Sequence, residues 1–329
     1  MSLLNPEDPT MPFAEDTPVL LCFDDEQDVA RRAAEAAGLA LAVVARHRFP
    51  DGEWRLRLPP ALPPRVVVWR SLHQPNEKLV ELLLLADTAR QLGARHLCLV
   101  APYLAYMRQD IAFQPGEAVS QRIVGRFLAG LFDALITVDP HLHRVATLQE
   151  AVPLADAIVL SGAPLLGAWI ASQRQDVLLL GPDEESLQWV SSAAQAHGWA
   201  HAVCRKLRHG DRHVEIALPA GLAPALAGRA VVLMDDVASS GQTLIEATRL
   251  LLAAGARSVD VAVTHALFAG DALQRLQAAG VGQVWSTDCI AHPSNAVSVV
   301  GAVAQALAGL YGRLDLVPHG DEQRVISET

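Results

Sequence analysis

The residues best equipped for chemistry stand together in the segment AVVLMDDVASSGQTL, residues 230–244. Asp235 and Asp236 are adjacent carboxylates, ionised at neutral pH and able to accept hydrogen bonds from the hydroxyls of a sugar. Ser239, Ser240 and Thr243 add hydroxyl donors, and Gly241 lets the backbone come close to a ligand. Residues 230–234 form a short apolar run suited to a buried parallel strand, and the pattern turns helical over 244–252. The loop between them therefore lies at the carboxyl end of a strand and the amino end of a helix, where free N–H groups and the helix dipole favour an anion. The two acids repel phosphate, so one end of the segment suits a diol and the other a phosphate monoester. Asp and Ser also cap helices in ordinary turns. Two acids, three hydroxyls and a glycine between a strand and a helix point instead to a sugar-phosphate grip.

Four further polar clusters stand where strands should end, the place where open α/β sheets hold ligands. Arg108, Gln109 and Asp110 follow the aromatic stretch 102–106 and combine a cation, an amide and an acid, a set that holds a nucleotide phosphate or makes a surface salt-bridge trio. Asp139, His141 and His143 end another strand and could ligate a metal or contact a polyphosphate. No cysteine stands beside them, so zinc does not fit, and Mg2+, bound mostly through oxygens and water, is the better match for Asp139 or Asp183. Glu184 and Glu185 read as an acidic helix start that complements the dipole, whereas Asp183, one position earlier, reads as a ligand-side residue. Lys206 and Arg208 alternate on an extended segment and so project from one face. With Arg205, His209, Arg212 and His213 they make the most basic patch of the chain. That patch either guards a sheet edge or faces Asp235 and Asp236 and stabilises charge on a transferring phosphoryl group.

Holding such clusters in place takes a large framework. The chain has 329 residues, 51% hydrophobic but only 5% aromatic, which is enough for two α/β domains with aliphatic cores. A formal net charge of −10 argues against nucleic acid as a partner. Neither a charged-then-apolar leader nor a long apolar run is seen, so no membrane association or secretion is expected. Cys22, Cys98, Cys204 and Cys289 lie far apart without CxxC spacing, which indicates neither zinc nor disulfides and a cytoplasmic protein. Periodicity predicts strands at 18–23, 41–44, 65–69, 97–101, 135–138, 156–160, 177–181, 201–204, 230–234, 259–263 and 283–286. It predicts helices at 28–38, 76–92, 163–173, 184–197, 244–254 and 271–279. After the Asp51-Gly52 turn pair, the alternating Trp54, Leu56 and Leu58 predict a half-exposed antiparallel strand. Residues 82–105 and 247–269 share the order helix, Gly-Ala-Arg, strand, loop, which reads as an internal repeat. The expected fold is α/β, with two doubly wound domains of mainly parallel sheet at 17–158 and 159–312, a flexible extension at 1–16 and a polar tail at 313–329.

Taken in order, FPDGE at 49–53, PYLAYMRQD at 102–110, PGEAVS at 115–120, VDPH at 138–141, GPDEE at 181–185, KLR at 206–208, DDVASSGQT at 235–243 and TDC at 287–289 resemble the signature segments of ribose-phosphate pyrophosphokinases. The last loop but one is shared with type I phosphoribosyltransferases; the full ordered set, spanning roughly residues 18–310, is not. The resemblance implies two tandem phosphoribosyltransferase-like domains, an ATP side followed by a ribose 5-phosphate side, with the site between them. It implies transfer of the β,γ-diphosphoryl group of ATP to the 1-hydroxyl of ribose 5-phosphate, release of AMP, a need for Mg2+, and self-association with an adenine site shared between subunits. On this resemblance Phe49, Asp51 and Glu53 hold adenine from a neighbouring subunit, and Arg108, Gln109, Asp110 and His141 serve the nucleotide. His141 and Asp183 position Mg2+ and phosphates, and Lys206 and Arg208 stabilise the transition state from a mobile loop. Asp235 and Asp236 take the ribose diol, and Ser239, Ser240, Gly241, Gln242 and Thr243 its 5-phosphate.

The chain departs from the common bacterial pattern. Ser239 stands for a third Asp, Gly241-Gln242 for a Gly-Gly pair, and Ile111-Ala112 where a basic residue usually follows the RQD motif. Ser239 and the PGEA at 115–118 resemble the archaeal-type branch. Two other functions fit the same resemblance: a non-catalytic regulatory paralogue, which loss of Lys206 or Asp235 would have marked, and the same chemistry on another pentose phosphate, at which Gln242 and Ile111 hint.

Overall fold

Apolar runs such as Val66-Val67-Val68 and Leu97-Cys98-Leu99-Val100 can be satisfied only in strands covered on both faces, which is what parallel sheets offer. The computed structural model describes residues 17–209, 213–219 and 221–316, and its strands form two six-stranded parallel sheets. The first half runs β1 (Val19–Cys22), α1 (Gln27–Ala37), β2 (Ala40–Val43), an antiparallel hairpin of β3 (Ala45–Arg48) and β4 (Trp54–Arg57), then β5 (Arg65–Trp69), α2 (Pro75–Gln91), β6 (His96–Ala101), α3 (Ser120–Leu131), β7 (Ala134–Val138), α4 (Leu148–Ala151) and β8 (Asp156–Leu160). The second half runs α5 (Ala163–Gln173), β9 (Val177–Gly181), α6 (Leu187–Gln195), β10 (His201–Val203), an antiparallel ribbon of β11 (Arg205–His209) and β12 (His213–Ala217), then α7 (Ala223–Leu226), β13 (Ala230–Ala238), α8 (Gln242–Ala253), β14 (Ser258–Ala266), α9 (Ala272–Ala278), β15 (Val281–Thr287), β16 (Asn295–Val297) and α10 (Val300–Leu316).

The strand orders are β2-β1-β5-β6-β7-β8 and β10-β9-β13-β14-β15-β16. The second is the first advanced by eight strands, and each half inserts its antiparallel pair after its second strand. The repeat expected from the two Gly-Ala-Arg segments is therefore present in the winding of the whole chain. Winding reverses between β1 and β5 and again between β9 and β13, and the crevice outside the carboxyl ends of such strands is where doubly wound sheets hold ligands.

The first sheet is covered on one face by α2 and α3, through Leu82, Leu85, Val124 and Leu128. Its other face is covered by α1 and by α10, which returns from the far end of the chain to bury Val303, Leu307 and Leu310 beside Leu20, Val67 and Ile136. Residue 158 falls inside β8, a strand of this sheet. The second sheet packs on α8 and α9 through Leu244, Leu251 and Leu276, and on α5 and α6 through Leu166, Ile170 and Val190.

Local differences from the expected elements have physical causes. β13 does not stop at Met234: its ladder with β14 continues to Ala238 opposite Ala266, so Asp235 and Asp236 lie on a strand rather than in a turn. The helix expected over 184–197 opens as a 3-10 turn at Glu184–Ser186 capped by the Asp183 side chain, and its regular part ends at Gln195. The chain stays helical to Leu316, beyond the expected start of a polar tail, because Leu310 and Tyr311 are still buried. Residues 1–16 and 317–329 lie outside the described residues. Helix α3 was not expected, and it packs so closely that a Cβ on its Gly125 would sit 1.8 Å from the Ala151 carbonyl oxygen.

Because α10 closes the core of the first half, Leu310→Ala should cost about 2–5 kcal/mol, the usual range for emptying a fully buried leucine site. Urea unfolding followed by circular dichroism measures this. A loss within experimental error of zero would mean that α10 does not belong to that core.

Candidate active site

The second switch point carries the acids. β13 brings Asp235 and Asp236 to its carboxyl end, and neighbouring β9 delivers Asp183. β7 of the first sheet ends opposite them and supplies Asp139, Pro140 and His141. The halves meet where His141 Nδ1 lies 2.8 Å from Oδ2 of the buried Asp236. That hydrogen bond raises the His141 pKa above its ordinary 6.5, against the pull of burial in the other direction. Burial raises the Asp235 carboxyl pKa well above the ordinary range, and the charges of Asp236 and Asp183 push the same way. Its Oδ1 accepts a hydrogen bond from the Asp236 amide at 3.0 Å.

Asp139 differs from the ligand role open to it in the sequence. It sits at φ 36°, a strained backbone for a non-glycine residue, and is buried. Its Oδ2 accepts from the Thr264 hydroxyl at 2.7 Å and the Gly162 amide at 2.9 Å, so the side chain braces the two halves rather than facing a metal. Its pKa is raised by burial, with these two hydrogen bonds opposing. Beside it, His265 Nε2 lies 2.9 Å from the Val138 carbonyl oxygen, and the His265 ring meets Tyr103 edge-on at 5.0 Å between centroids. Tyr103, just after β6, and His265, near the end of β14, hold equivalent places in the two repeats, so the duplication itself brings them together. The sequence analysis missed both as site residues; the alignment of the two repeats was the signal that could have found them.

Arg108 lines the same small cavity as Tyr103, His141 and Asp236. Asp110 is buried, with Oδ1 2.7 Å from Arg144 Nη1 and Oδ2 3.7 Å from His143 Nδ1. The carbonyl oxygen of Gln109 accepts from the Gln121 amide at 3.2 Å, which ties this loop to the start of α3. His143 Nε2 lies 3.1 Å from Glu185 Oε1, and His141 Nε2 lies 4.0 Å from Glu185 Oε2. Glu185 thus bridges the halves, a role beyond the dipole complement expected of it. Asp183 Oδ1 accepts from the amides of Glu185 at 3.1 Å and Ser186 at 3.3 Å, which orients its carboxylate.

The loop after β13 is held from behind. The Phe268 amide donates to Ala238 at 2.9 Å and the Ala269 amide to Ser239 at 3.0 Å. Gly241 precedes α8 at φ 69°, and a Cβ there would come within 3.3 Å of the Leu276 side chain of α9. α8 then begins at Gln242 with Thr243 in its first turn, where helix N–H groups lack intrahelical partners. Gln242 lies along α8: its Nε2 donates to Glu246 at 2.7 Å, and its Oε1 accepts from Arg275 at 2.6 Å. Ser240 Oγ lies 3.4 Å from the Gln242 amide.

Two predicted groups stand apart. Phe49, Asp51 and Glu53 sit at the tip of the β3–β4 hairpin, which lies against α2 through Arg48 and Glu77 at 2.7 Å and not on the acidic cluster of its own chain. Lys206 and Arg208 lie on β11 opposite Ile216 and Val214, and their side chains are outside the described residues. Among the described residues no three His, Cys, Asp or Glu side chains converge as a ready-made metal cage.

Residues 19–131 match the family described as the N-terminal domain of ribose phosphate pyrophosphokinase, and residues 157–288 match the phosphoribosyl transferase domain. A ribose-phosphate pyrophosphokinase of Methanopyrus kandleri is 38% identical over 297 residues, covering 89% of this chain and 100% of that one. One of Halobacterium salinarum is 35% identical over 290 residues, covering 88% and 100%. The crystal structure of phosphoribosylpyrophosphate synthetase from Mycobacterium smegmatis shares the fold, with a TM-score of 0.79 at 22% identity over 91% of this chain and 100% of that one.

The contact between the halves has a pH signature. A histidine whose folded pKa is raised adds its full stability below the unfolded value near 6.5 and loses it as pH rises through the folded value. In metal-free protein, the His141 imidazole followed by NMR should titrate above 6.5, and Asp236→Asn should bring it down. A His141 titration indifferent to Asp236→Asn would mean that this contact does not set its charge.

Proposed function

The chain belongs to the ribose-phosphate pyrophosphokinase family, and from that premise we propose how its residues divide the work of a ribose-phosphate diphosphokinase, which joins the β,γ-diphosphoryl group of ATP to the 1-hydroxyl of ribose 5-phosphate and releases AMP. The observation that carries the reading is the placement of Asp235 and Asp236 at the end of β13, directly before the amino end of α8 and across from His141. Paired acids accept hydrogen bonds from the two ribose hydroxyls. The amino end of α8, with Ser239, Ser240, Gly241, Gln242 and Thr243, takes the 5-phosphate one sugar length away. The side chain of Gln242 runs along α8 toward Glu246. Held there by Glu246 and Arg275, it supports a phosphate site at the loop and the start of α8.

The first half takes ATP. Arg108, Gln109, Asp110 and His141 serve the polyphosphate, a role supported by Arg108 and His141 lining one cavity with Asp236. Adenine is taken by Phe49, Asp51 and Glu53 of a neighbouring copy, through ring stacking and hydrogen bonds to the carboxylates. Support comes from the hairpin tip, which leaves the Phe49 ring exposed and faces away from its own cluster.

When the 1-hydroxyl oxygen bonds to the β-phosphorus and gives up its proton to water, the bond from that phosphorus to the α,β-bridging oxygen breaks and AMP leaves with the electron pair. Negative charge grows on the bridging oxygen, and Lys206 and Arg208 on the β11–β12 ribbon are the cations assigned to it. The donor set also fits Mg2+. Asp183 and Asp235 are oxygen donors whose mutual repulsion helps to raise the Asp235 pKa, and a hard dication would relieve it. Mg2+ commonly takes one or two carboxylates plus water and substrate phosphate, so no three-residue cage is required. Asp183 and His141 would hold it with the phosphates, and when bound it would neutralise phosphate charge. A cytoplasmic setting is supported by the four cysteines, all free and buried, and no helix among the described residues is long and apolar enough to cross a membrane.

The test is AMP release from ATP and Mg2+, with and without ribose 5-phosphate. Release should depend on the sugar phosphate, and Lys206→Ala should lower kcat by about 10²–10³-fold with KM for ribose 5-phosphate nearly unchanged, as expected for a charge that acts on the transition state. ATP binding without release would sink this reading in favour of a regulatory paralogue. Release with a different pentose phosphate alone would assign another acceptor.

A further inference from the structure

The β3–β4 hairpin has a slight apolar hold: none of its strand residues is fully buried, and the half-buried Leu56 of β4 packs against the core of the first half. Charge adds the rest. Arg46 lies 2.7 Å from Glu81 of α2, 2.8 Å from Asp24 and 3.2 Å from Asp25 of the β1–α1 turn. Its guanidinium also stands over the rings of Phe23 at 5.5 Å and Trp54 at 5.6 Å. Arg48 adds the contact to Glu77 and lies 5.4 Å over the ring of Trp54.

Behind Arg46 the network is buried. Glu81 is 1% exposed, and its second oxygen accepts from Arg70 at 2.5 Å. Arg70, also 1% exposed, reaches Asp25 at 2.8 Å and Glu26 at 3.1 Å, and Glu26 accepts from the Ser71 amide at 3.0 Å. These residues lie at the carboxyl ends of β1 and β5, the switch point of the first sheet, beside a cavity of about 300 Å³ that Asp25, Glu26 and Trp69 help to line. The equivalent crevice of the second sheet holds Asp183, Asp235 and Asp236. In the first crevice the chain's own arginines and carboxylates pair with one another, and the hairpin is fastened to that network. A planar guanidinium bound to carboxylates of two different elements resists both translation and rotation, which a single apolar contact does not.

We propose that Arg46, backed by Glu81 and Arg70, is a positioning residue for ATP: it sets the angle at which the hairpin presents Phe49, Asp51 and Glu53 to the adenine in a neighbouring copy. The proposal rests on the assignment of adenine to that hairpin, and the experiment separates the two. Steady-state kinetics are measured on the full chain with ATP and ribose 5-phosphate varied in turn, for the wild type, Phe49→Ala, Arg46→Met, Arg46→Lys and the Phe49→Ala/Arg46→Met pair. Arg46→Met should raise KM for ATP by about tenfold, while kcat and KM for ribose 5-phosphate stay within about twofold, the split expected when only ATP placement is loosened. Arg46→Lys, which keeps the charge but not the fork, should recover part of the loss. The double variant should lose less than the product of the two single effects, because part of what Arg46→Met loosens is the Phe49 contact that Phe49→Ala has already removed.

Arg48→Met, on the exposed side of the anchor, provides a second variant that leaves the buried network intact. It should raise KM for ATP by about threefold, a smaller loss because that pair is solvent-exposed. If Phe49→Ala raises KM for ATP while Arg46→Met and Arg48→Met leave it at the wild-type value, the positioning role is overturned and the adenine assignment stands. If Phe49→Ala leaves it unchanged, both fall.

Discussion

The hydrogen bond between His141 and Asp236 is the contact on which the site depends. One partner follows the fifth strand of the first sheet and the other ends the third strand of the second, so the bond exists only if the carboxyl ends of two separately wound sheets meet. Asp139, Thr264, His265 and Tyr103 make that meeting rigid. The backbone strain at Asp139 is held by the hydrogen bonds its carboxylate makes to both Gly162 and Thr264. Asp235 and Asp183 are thereby held beside Asp236 at a separation they would not choose in water, and a buried, like-charged arrangement of this kind is prepared to receive hydroxyl donors and cations.

Duplication gave the chain two equivalent crevices, and electrostatics has divided their labour. In the second sheet Asp183, Asp235 and Asp236 stand together at the strand ends, and the start of α8 follows them. In the first sheet Arg70 satisfies Asp25, Glu26 and Glu81 in the same position. That internal network carries its own strain: burial raises the Glu26 pKa and lowers that of Lys78 to about 8. It persists because each charge there has a partner; removing one would leave the others buried and unpaired at a cost of about 3–5 kcal/mol. The paired network serves as a fixed point for the hairpin above it.

α10 ties these arrangements together. It starts beyond the second sheet and packs on the first, so the core of the first half is completed by the last described part of the chain. Near its start Arg32 of α1 reaches Asp288 at 2.9 Å, and the Ser71 hydroxyl donates to the Cys289 carbonyl oxygen at 2.5 Å. The segment after β15 is therefore bound to both α1 and the Arg70 crevice, and the relative placement of the halves is stabilised on two sides of the junction.

Much of this was legible in the sequence, and for a physical reason. Strands with apolar runs, helices with capping glycines, and the strand–loop–helix around Asp235, Asp236 and Gly241 follow from local dihedral preferences and periodicity, which a chain carries wherever it folds. The order of polar clusters at strand ends sufficed to name the kind of site. Tertiary structure alone decided the rest, because each of these features is a contact between residues distant in the chain. β13 runs on through both acids only because β14 pairs with it to Ala266. Asp139 turned inward to Thr264, Glu185 outward to His143, and Gln242 along α8 to Arg275. Nothing near Arg70 in sequence announces that it will be buried among three carboxylates, two of them more than forty positions away. Residue type and spacing determined what chemistry the chain could do; which acids would be paired and which left open was settled by packing, since the energy of a buried charge depends on neighbours that the fold supplies.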